Sequence, residues 1–414
     1  MTTTYPTHSA THPATTGRWL VILCWIAMAL DGFDLVVLGT VIPTLIKTGD
    51  LGLTKASLTT ASTLGLVGVG IGAVLIGPLT DRHGRRRALI ASIAIFSTFT
   101  LAIALAQNAT QFILLRFLAG LGLGACLPTA LAFVSEQSRR DRAGTAVTRT
   151  MTGYNVGAVL TALLALWLVS DMGWRVMFVI GGVLGLLTLP LMWAKLPESQ
   201  SYLDAAAARA RGEQADPSVR FLDVMRGRYL AVSVALCVTS FMGLLLVYGL
   251  NTWLPTIMGE AGYSITAGIG LLLVLNFGAV FGLLLAGRTA DQRGTKPVTV
   301  LWFGLAAVML ALLSVRLPST LLVYAAVMFA GVFVFSAQVL VYAFVGHLYP
   351  TRLRGTALGM AAGIGRVGAI VGPFFGGMLV TSGVAYPWGF YAFAAAAVFA
   401  ALALLTVPAH LEHE

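Results

Sequence analysis

Charged residues and cysteines are scarce in this sequence of 414 residues, and each shortage excludes a class of protein. Only 10% of the residues are charged and 58% are hydrophobic, whereas soluble domains carry about 25% charged residues. A soluble protein of this composition would lack a polar surface. The three cysteines all lie in apolar stretches, so we expect no disulfide bond, metal site or cofactor. The composition excludes a soluble enzyme, a nucleic-acid-binding protein and a disulfide-stapled secreted domain.

Long apolar runs take the place of the missing polar surface. A membrane-spanning helix needs about 20 apolar residues, and runs near this length, called spans 1 to 12, lie at 19–42, 58–79, 88–107, 111–134, 146–170, 174–194, 229–256, 266–287, 297–316, 319–345, 355–380 and 386–407. They predict an all-α integral membrane protein. Its predicted organisation is a tail (1–18), a six-helix bundle (19–194), a central loop (195–228), a second six-helix bundle (229–407) and a second tail (408–414).

Lys and Arg lie mainly in alternate loops of this arrangement. Most of the 26 basic residues fall in the first tail, the central loop and the loops on the same side, including the cluster Arg82–Arg87. Basic loops stay on the cytoplasmic side of a membrane. We therefore expect a multi-pass protein of the cell membrane with both termini in the cytoplasm. The alternative, an odd number of spans, would spoil this alternation.

The two halves of the sequence repeat each other. Three short motifs recur in the same order about 210 residues apart, and their matching positions are Asp81 with Asp291, Gly144 with Gly355, and Pro43 with Pro255. Three matches at nearly one offset indicate a duplicated six-helix unit. Transporters are often built from two such repeats, with the substrate site between them near the middle of the membrane.

Several motifs resemble those of the major facilitator superfamily along nearly the whole chain. The loop between spans 2 and 3 is similar to the loop motif of that superfamily, and it reads Gly77-Pro78-Leu79-Thr80-Asp81-Arg82-His83-Gly84-Arg85-Arg86-Arg87. Span 4 carries Arg116, Gly120 and Gly124, which resemble another of its motifs. The resemblance implies a transporter with two pseudo-symmetric halves of six helices.

Within that superfamily, span 1 resembles one particular family. The stretch Asp31-Gly32-Phe33-Asp34 is similar to the D-G-x-D signature of the aromatic acid:proton symporters. Stretches of span 7 (251–256) and span 11 (365–373) fit the same family. The resemblance implies uptake of an aromatic carboxylate of the benzoate, hydroxybenzoate, protocatechuate or gentisate type together with protons, by a monomer in the lipid bilayer.

Asp31 and Asp34 are the acidic residues that lie well inside an apolar run. Such carboxylates are costly and usually face a cavity or a partner. Three residues apart on a helix, they lie on nearly one face and should titrate as a coupled pair. We predict that they couple transport to protons, together with Arg116. The alternative is a permanent ion pair with an arginine, and Arg116 itself is as much a candidate for substrate binding as for pairing with these carboxylates.

Arg366, in span 11, is the predicted anion-binding residue, because a guanidinium binds a carboxylate through two parallel hydrogen bonds and stays charged. An aromatic ligand also needs apolar walls and a few polar groups. Spans that line the cavity of related transporters supply further candidates, although such a residue, taken singly, more often packs or forms an interhelical hydrogen bond: Phe33, Tyr154, Asn155, Tyr248, Asn251, Trp253, Asn276, Gln338 and Tyr342. His347 is a possible proton relay or a solvated residue at the membrane edge, and Arg149 is expected to reach the interface.

The loop after span 2 is predicted to be a gate on the cytoplasmic side. Its residues are Asp81, Arg82, Gly84, Arg85 and Arg86. A negative charge among guanidiniums can bridge helix ends, whereas basic residues alone would only anchor the loop in the cytoplasm. The second copy of the motif has Gln292 and Thr295 in place of basic residues, so we expect a weaker gate there.

Together these features predict proton-coupled import of an aromatic carboxylate by alternating access. One alternative is the same fold carrying another organic acid, a sugar or a drug, including efflux by proton antiport. Two buried arginines argue against a cationic drug. Another alternative is a membrane enzyme or channel, but the sequence has no metal-spaced cluster, nucleophile constellation or pore-ring signature.

Overall fold

The computed structural model of the protein describes residues 14–137, 143–199, 202–203, 207, 224–227, 229–317, 319–349 and 351–408. The helices of the first half are α1 (Ala14–Thr48), α2 (Lys55–His83), α3 (Arg85–Ile103), α4 (Ala109–Gly124), α5 (Cys126–Gln137), α6 (Ala143–Met172) and α7 (Arg175–Lys195). Those of the second half are α8 (Tyr229–Glu260), α9 (Ile265–Arg293), α10 (Thr295–Leu313), α11 (Thr320–Leu348), α12 (Thr351–Thr381) and α13 (Ala385–Leu405).

Twelve segments of the described residues are helical, long and apolar enough to cross a membrane. This number confirms the count from the sequence. Span 4 consists of α4 and α5 together, because the helix is interrupted at Ala125. Pro128 lies one turn later and has no N–H group, so the carbonyl of Gly124 loses its usual partner and the helix is distorted there.

The helices pack in the same pattern in both halves. In the first half α1 packs against α6, α2 against α4, and α3 against α7. In the second half α8 packs against α12, α9 against α11, and α10 against α13. This repetition is what a duplicated six-helix unit predicts, so the two pseudo-symmetric halves are present in the structure. The exact boundaries of the tails and the central loop stay a prediction, because most of those residues lie outside the described ranges.

Close helix packing in both halves occurs at glycines in matching positions. A Cβ atom on Gly120 would lie 2.1 Å from the carbonyl oxygen of Gly65, and a Cβ atom on Gly331 would lie 2.0 Å from that of Leu275. Any larger residue would push the two helices apart. Small residues allow this approach in membranes, where helix association depends on packing rather than on the hydrophobic effect.

The two halves contact each other through α1 with α8, α2 with α12, and α6 with α9. At the face of the bundle opposite the start of α1 and the end of α13, Lys55 of α2 forms an ion pair with Glu260 of α8, at 2.8 Å between Nζ and Oε1. The same Nζ donates a hydrogen bond to the carbonyl oxygen of Val380 in α12, at 3.4 Å. One lysine of the first half is thus bound to two helices of the second half at this face.

Candidate functional site

Asp34 and Arg116 form a buried ion pair inside the first half. Asp34 lies on α1 and Arg116 on α4, and the guanidinium donates one hydrogen bond to each carboxylate oxygen, at 2.5 and 3.3 Å. Both side chains are buried. A guanidinium and a carboxylate in this bidentate arrangement satisfy each other and leave no net charge. Of the alternatives for Arg116, the structure therefore shows the pairing with a span 1 carboxylate.

Asp31 is buried one helical turn before Asp34, but its surroundings differ. Within the described residues, its carboxylate forms no hydrogen bond and no ion pair of the kind that joins Asp34 to Arg116. The strongest charge acting on Asp31 is that of Arg366 in the second half, and the charge of Asp34 acts on it more weakly. Asp31 is therefore opposed by a positive charge of the other half without being bonded to it.

Arg366 lies on α12 on the other side of that boundary and keeps part of its surface exposed. Its Nη1 donates a hydrogen bond of 3.1 Å to the hydroxyl oxygen of Tyr248 on α8. Tyr248 also lies near the phenol of Tyr154, which belongs to α6 of the first half. Each half thus contributes two residues to a polar cluster at the boundary. We call Asp31, Tyr154, Tyr248 and Arg366 the boundary cluster.

Other predicted substrate contacts are engaged in helix packing. The ring of Phe33 lies against Gly181 of α7, inside the first half. Trp253 is fully buried, and its indole N–H donates to the carbonyl oxygen of Pro373 at 2.7 Å. In the structure, Phe33 and Trp253 are therefore packing residues, as the alternative for these candidates predicted.

Three of the remaining polar candidates form hydrogen bonds that join neighbouring helices. Asn276 donates to the side-chain oxygen of Asn251 at 2.9 Å, which joins α9 to α8. Gln338 donates to the hydroxyl of Ser240 at 3.2 Å, which joins α11 to α8. Asn155 is buried on α6 beside Tyr154. The structure does not place Asn251, Asn276 or Gln338 in the boundary cluster, and their contact with a substrate stays a prediction.

The predicted gate loop turns at Gly84, whose φ of 86° favours glycine. The side chains of Asp81 and Arg82 lie outside the described residues. The backbone N–H of Arg86 donates to Glu198 at 3.0 Å, and its guanidinium donates to the carbonyl oxygen of Trp193, at 2.5 Å. Arg86 therefore links the start of α3 to the end of α7 within one half. A role in closing the two halves stays a prediction.

Two further residues, His347 and Arg149, lie at the edge of the bundle. His347 lies in the last turn of α11 and is exposed, and Arg149 is exposed on α6. For both, the described surroundings match the alternative of a solvated residue at the membrane interface. A proton relay through His347 would have to reach the boundary cluster from that position, and it stays a prediction.

Two features of the site were not predicted from the sequence. Tyr154 and Tyr248 were predicted only as separate candidates, and Glu198 was not predicted at all. The repeat contained a signal for an asymmetric site, because Arg366 occupies the position in span 11 that Asn155 occupies in span 5, 211 residues earlier. A charge present in one copy and absent from the other points to a specialised function.

Comparisons with known proteins agree with this architecture. The sequence matches the Major Facilitator Superfamily over residues 24–279 and 268–414. It is 37% identical to a gentisate transporter of Corynebacterium glutamicum over 93% of this chain and 86% of that protein. It is 34% identical to a gallate transporter of Pseudomonas putida over 95% and 92% of the two chains.

The fold is also that of a solved transporter. A crystal structure of a D-xylose-proton symporter superposes with a TM-score of 0.78 over 94% of this chain and 98% of the other, at 18% sequence identity. At that identity the likeness establishes the fold alone. With the family match along nearly the whole sequence, twelve spans and two repeated halves, this multi-pass membrane protein belongs to the Major Facilitator Superfamily, whose members are transporters and not enzymes.

Proposed function

We propose that the protein imports an aromatic carboxylate together with protons, by alternating access of a site between its two halves. The substrate class follows from the two relatives above, which are named for gentisate and gallate. Both molecules are hydroxylated benzoic acids. Benzoate, hydroxybenzoate and protocatechuate share the same carboxylate and ring, and they belong to the proposed range.

The single observation that carries the proposal is the position of Arg366. Its guanidinium lies at the boundary between the halves, is partly exposed and is bonded to a neutral phenol rather than to a carboxylate. A guanidinium can offer two parallel hydrogen bonds to a carboxylate. An anion bound there would be reached alternately from either side as the halves reorient.

The charges of the site support a proton as the co-substrate. Asp34 and Arg116 neutralise each other, and Asp31 opposes Arg366, so the empty site is neutral overall. A monoanion would bring one negative charge, and a proton on Asp31 would restore neutrality. An uncompensated ion in a low-dielectric site costs several kcal/mol. We propose Asp31 as the group that binds the proton and one proton per anion as the stoichiometry.

The sidedness of the proposal rests on the basic residues. Arg86 and Arg87 lie at the end of the bundle where α1 begins and α13 ends, and basic loops remain cytoplasmic. The ion pair of Lys55 with Glu260 then lies on the external side, where it holds the halves together. We propose a monomer in the cell membrane with both termini in the cytoplasm.

The test is uptake of radiolabelled benzoate, 4-hydroxybenzoate and gentisate by cells that express the protein, with and without an ionophore that dissipates the proton gradient. We expect concentration of at least one acid inside the cells and its loss with the ionophore. Accumulation that is insensitive to the ionophore would overturn proton symport. Uptake of none of these acids, with transport of a sugar or expulsion of a dye, would overturn the substrate class.

The membrane potential tests the stoichiometry in a second experiment. In proteoliposomes, one anion with one proton moves no net charge, so an imposed potential should leave the uptake rate unchanged. A second proton would add a drive of about 2.3 kcal/mol per 100 mV. Uptake that responds to the potential would therefore contradict the one-to-one ratio and leave symport itself intact.

A further inference from the structure

Tyr248 is in direct contact with Arg366, the residue on which the proposed function depends. Its hydroxyl oxygen accepts a hydrogen bond from Arg366 at 3.1 Å. The phenol of Tyr154, in the other half, lies near it, and the charge of Asp31 acts on both phenols. The question is what the Tyr248 hydroxyl adds to a site that already has an arginine.

A count of donors and acceptors gives an answer. A guanidinium only donates, so Arg366 uses one lone pair of the Tyr248 oxygen. The O–H of Tyr248 donates to no acceptor in the hydrogen bonds of the described residues, and it lies beside the guanidinium.

A carboxylate has the groups that this arrangement lacks. Its two oxygens can accept several hydrogen bonds, and the boundary cluster offers the N–H donors of Arg366 and one phenolic O–H. The hydrogen bond from Arg366 to Tyr248 also restricts the orientation of the guanidinium, which otherwise has a long flexible stem. Binding groups held in place before the ligand arrives lose less entropy when it binds.

We propose that Tyr248 positions the Arg366 guanidinium, and that its own O–H donates a hydrogen bond to the substrate carboxylate beside it. This inference rests on the proposed function and deepens it.

The test compares equilibrium binding of gentisate, 4-hydroxybenzoate and benzoate to purified full-length protein and its variants at one pH. Tyr248→Phe removes both the acceptor for Arg366 and a hydroxyl, and we expect the affinity to fall about tenfold or more. Tyr154→Phe is the matched control. It removes one hydroxyl of the same kind but leaves Tyr248 free to donate, so we expect a decrease of less than about threefold.

A merely structural role is distinguished by a double-mutant cycle and by melting temperature. If Tyr248 acts through Arg366, then Tyr248→Phe should weaken binding much less in an Arg366→Gln background than in the unmodified protein. Equal losses in both backgrounds, or a loss of binding that simply follows a lower melting temperature, would overturn the positioning role. If Tyr248→Phe folds poorly, Tyr248→Trp provides a second variant with a donor but no acceptor for Arg366, and it should also bind weakly.

The outcomes separate this inference from the proposed function. Unchanged affinity of Tyr248→Phe for an acid that the unmodified protein binds would overturn the inference and leave the function intact. If the unmodified protein binds none of the three acids, the proposed substrate class fails, and the assignment of the hydroxyl donor fails with it.

Discussion

Asp31 and Asp34 are neighbours on one helix, but they lie in opposite situations. Asp34 is bound at two points by Arg116 of its own half. The charge of Asp31 is opposed by that of Arg366 in the other half. One N–H group of this arginine donates a hydrogen bond to the hydroxyl of Tyr248. The first pair is closed and internal to a rigid bundle. The second is open and crosses the boundary that must rearrange during transport.

The two carboxylates of the Asp31–Asp34 motif can therefore differ in role, one stabilising the helix packing and the other binding a proton. A carboxylate that is permanently bonded to an arginine fixes the packing of α1 against α4 but has little reason to exchange a proton. A carboxylate whose partner belongs to the other half can exchange that partner for a proton or a substrate. We therefore propose a chiefly structural role for Asp34 and a chiefly proton-binding role for Asp31, and the following predictions test this division.

The largest expected effect is on stability, from Arg116→Ala. This change leaves Asp34 charged and buried without a partner, and breaking a buried pair costs about 3–5 kcal/mol. The measurement is unfolding of the purified protein by heat or denaturant. The double variant Asp34→Asn with Arg116→Gln removes both charges and should recover most of the loss. If Arg366→Ala destabilised the protein as strongly, the contrast between the two arginines would be wrong.

The second prediction separates the two carboxylates by function. Asp31→Asn should abolish accumulation driven by protons but leave exchange of internal for external substrate, because Asn resembles the protonated Asp and the loaded carrier can still reorient. Asp34→Asn should instead reduce stability, since Arg116 loses its charged partner. Counterflow and net uptake in proteoliposomes measure both activities. Full accumulation by Asp31→Asn would move the coupling role to another group.

The third prediction concerns the arginine of the open pair. Arg366→Lys keeps the charge but loses the planar fork. Loss of one charged hydrogen bond costs about 1.5–3 kcal/mol, so substrate affinity should fall by about tenfold or more, without a comparable change in melting temperature. Binding at the level of the unmodified protein would show that the anion site lies elsewhere.

The smallest effect is expected from the ion pair of Lys55 with Glu260, which is partly exposed. Lys55 and Glu260 join the halves at 2.8 Å but remain partly solvated, and exposed pairs contribute only about 0–1 kcal/mol. Lys55→Met should shift the balance between inward-facing and outward-facing states by up to about fivefold. Reaction of a cysteine placed at Thr59 with a membrane-impermeant thiol reagent measures that balance.

A charge exchange provides the control for this last prediction. The double variant Lys55→Glu with Glu260→Lys restores an attractive pair with the charges reversed, so its reactivity should return toward that of the unmodified protein. The same reactivity in Lys55→Met, the double variant and the unmodified protein would mean that the ion pair does not affect the equilibrium.

Composition and the repeat were enough to establish most of the architecture. The scarcity of charged residues predicted a membrane protein, and the lengths of the apolar runs predicted twelve spans. The offset of about 210 residues between the repeated motifs predicted two halves. They also identified Asp31, Asp34, Arg116 and Arg366 as important, because an ionisable residue is costly inside a membrane wherever its side chain points.

Partners could be assigned only from the tertiary structure. A membrane helix is apolar toward lipid and toward its neighbours, so the pattern of hydrophobic residues does not reveal which face is turned inward. From the sequence, both Phe33 and Arg366 were predicted to contact the substrate, although helix rotation places the first against Gly181 and the second at the boundary. The choice of Arg116 for Asp34 and the meeting of Tyr154 with Tyr248 depend on contacts between distant segments, which only the packing of the helices decides.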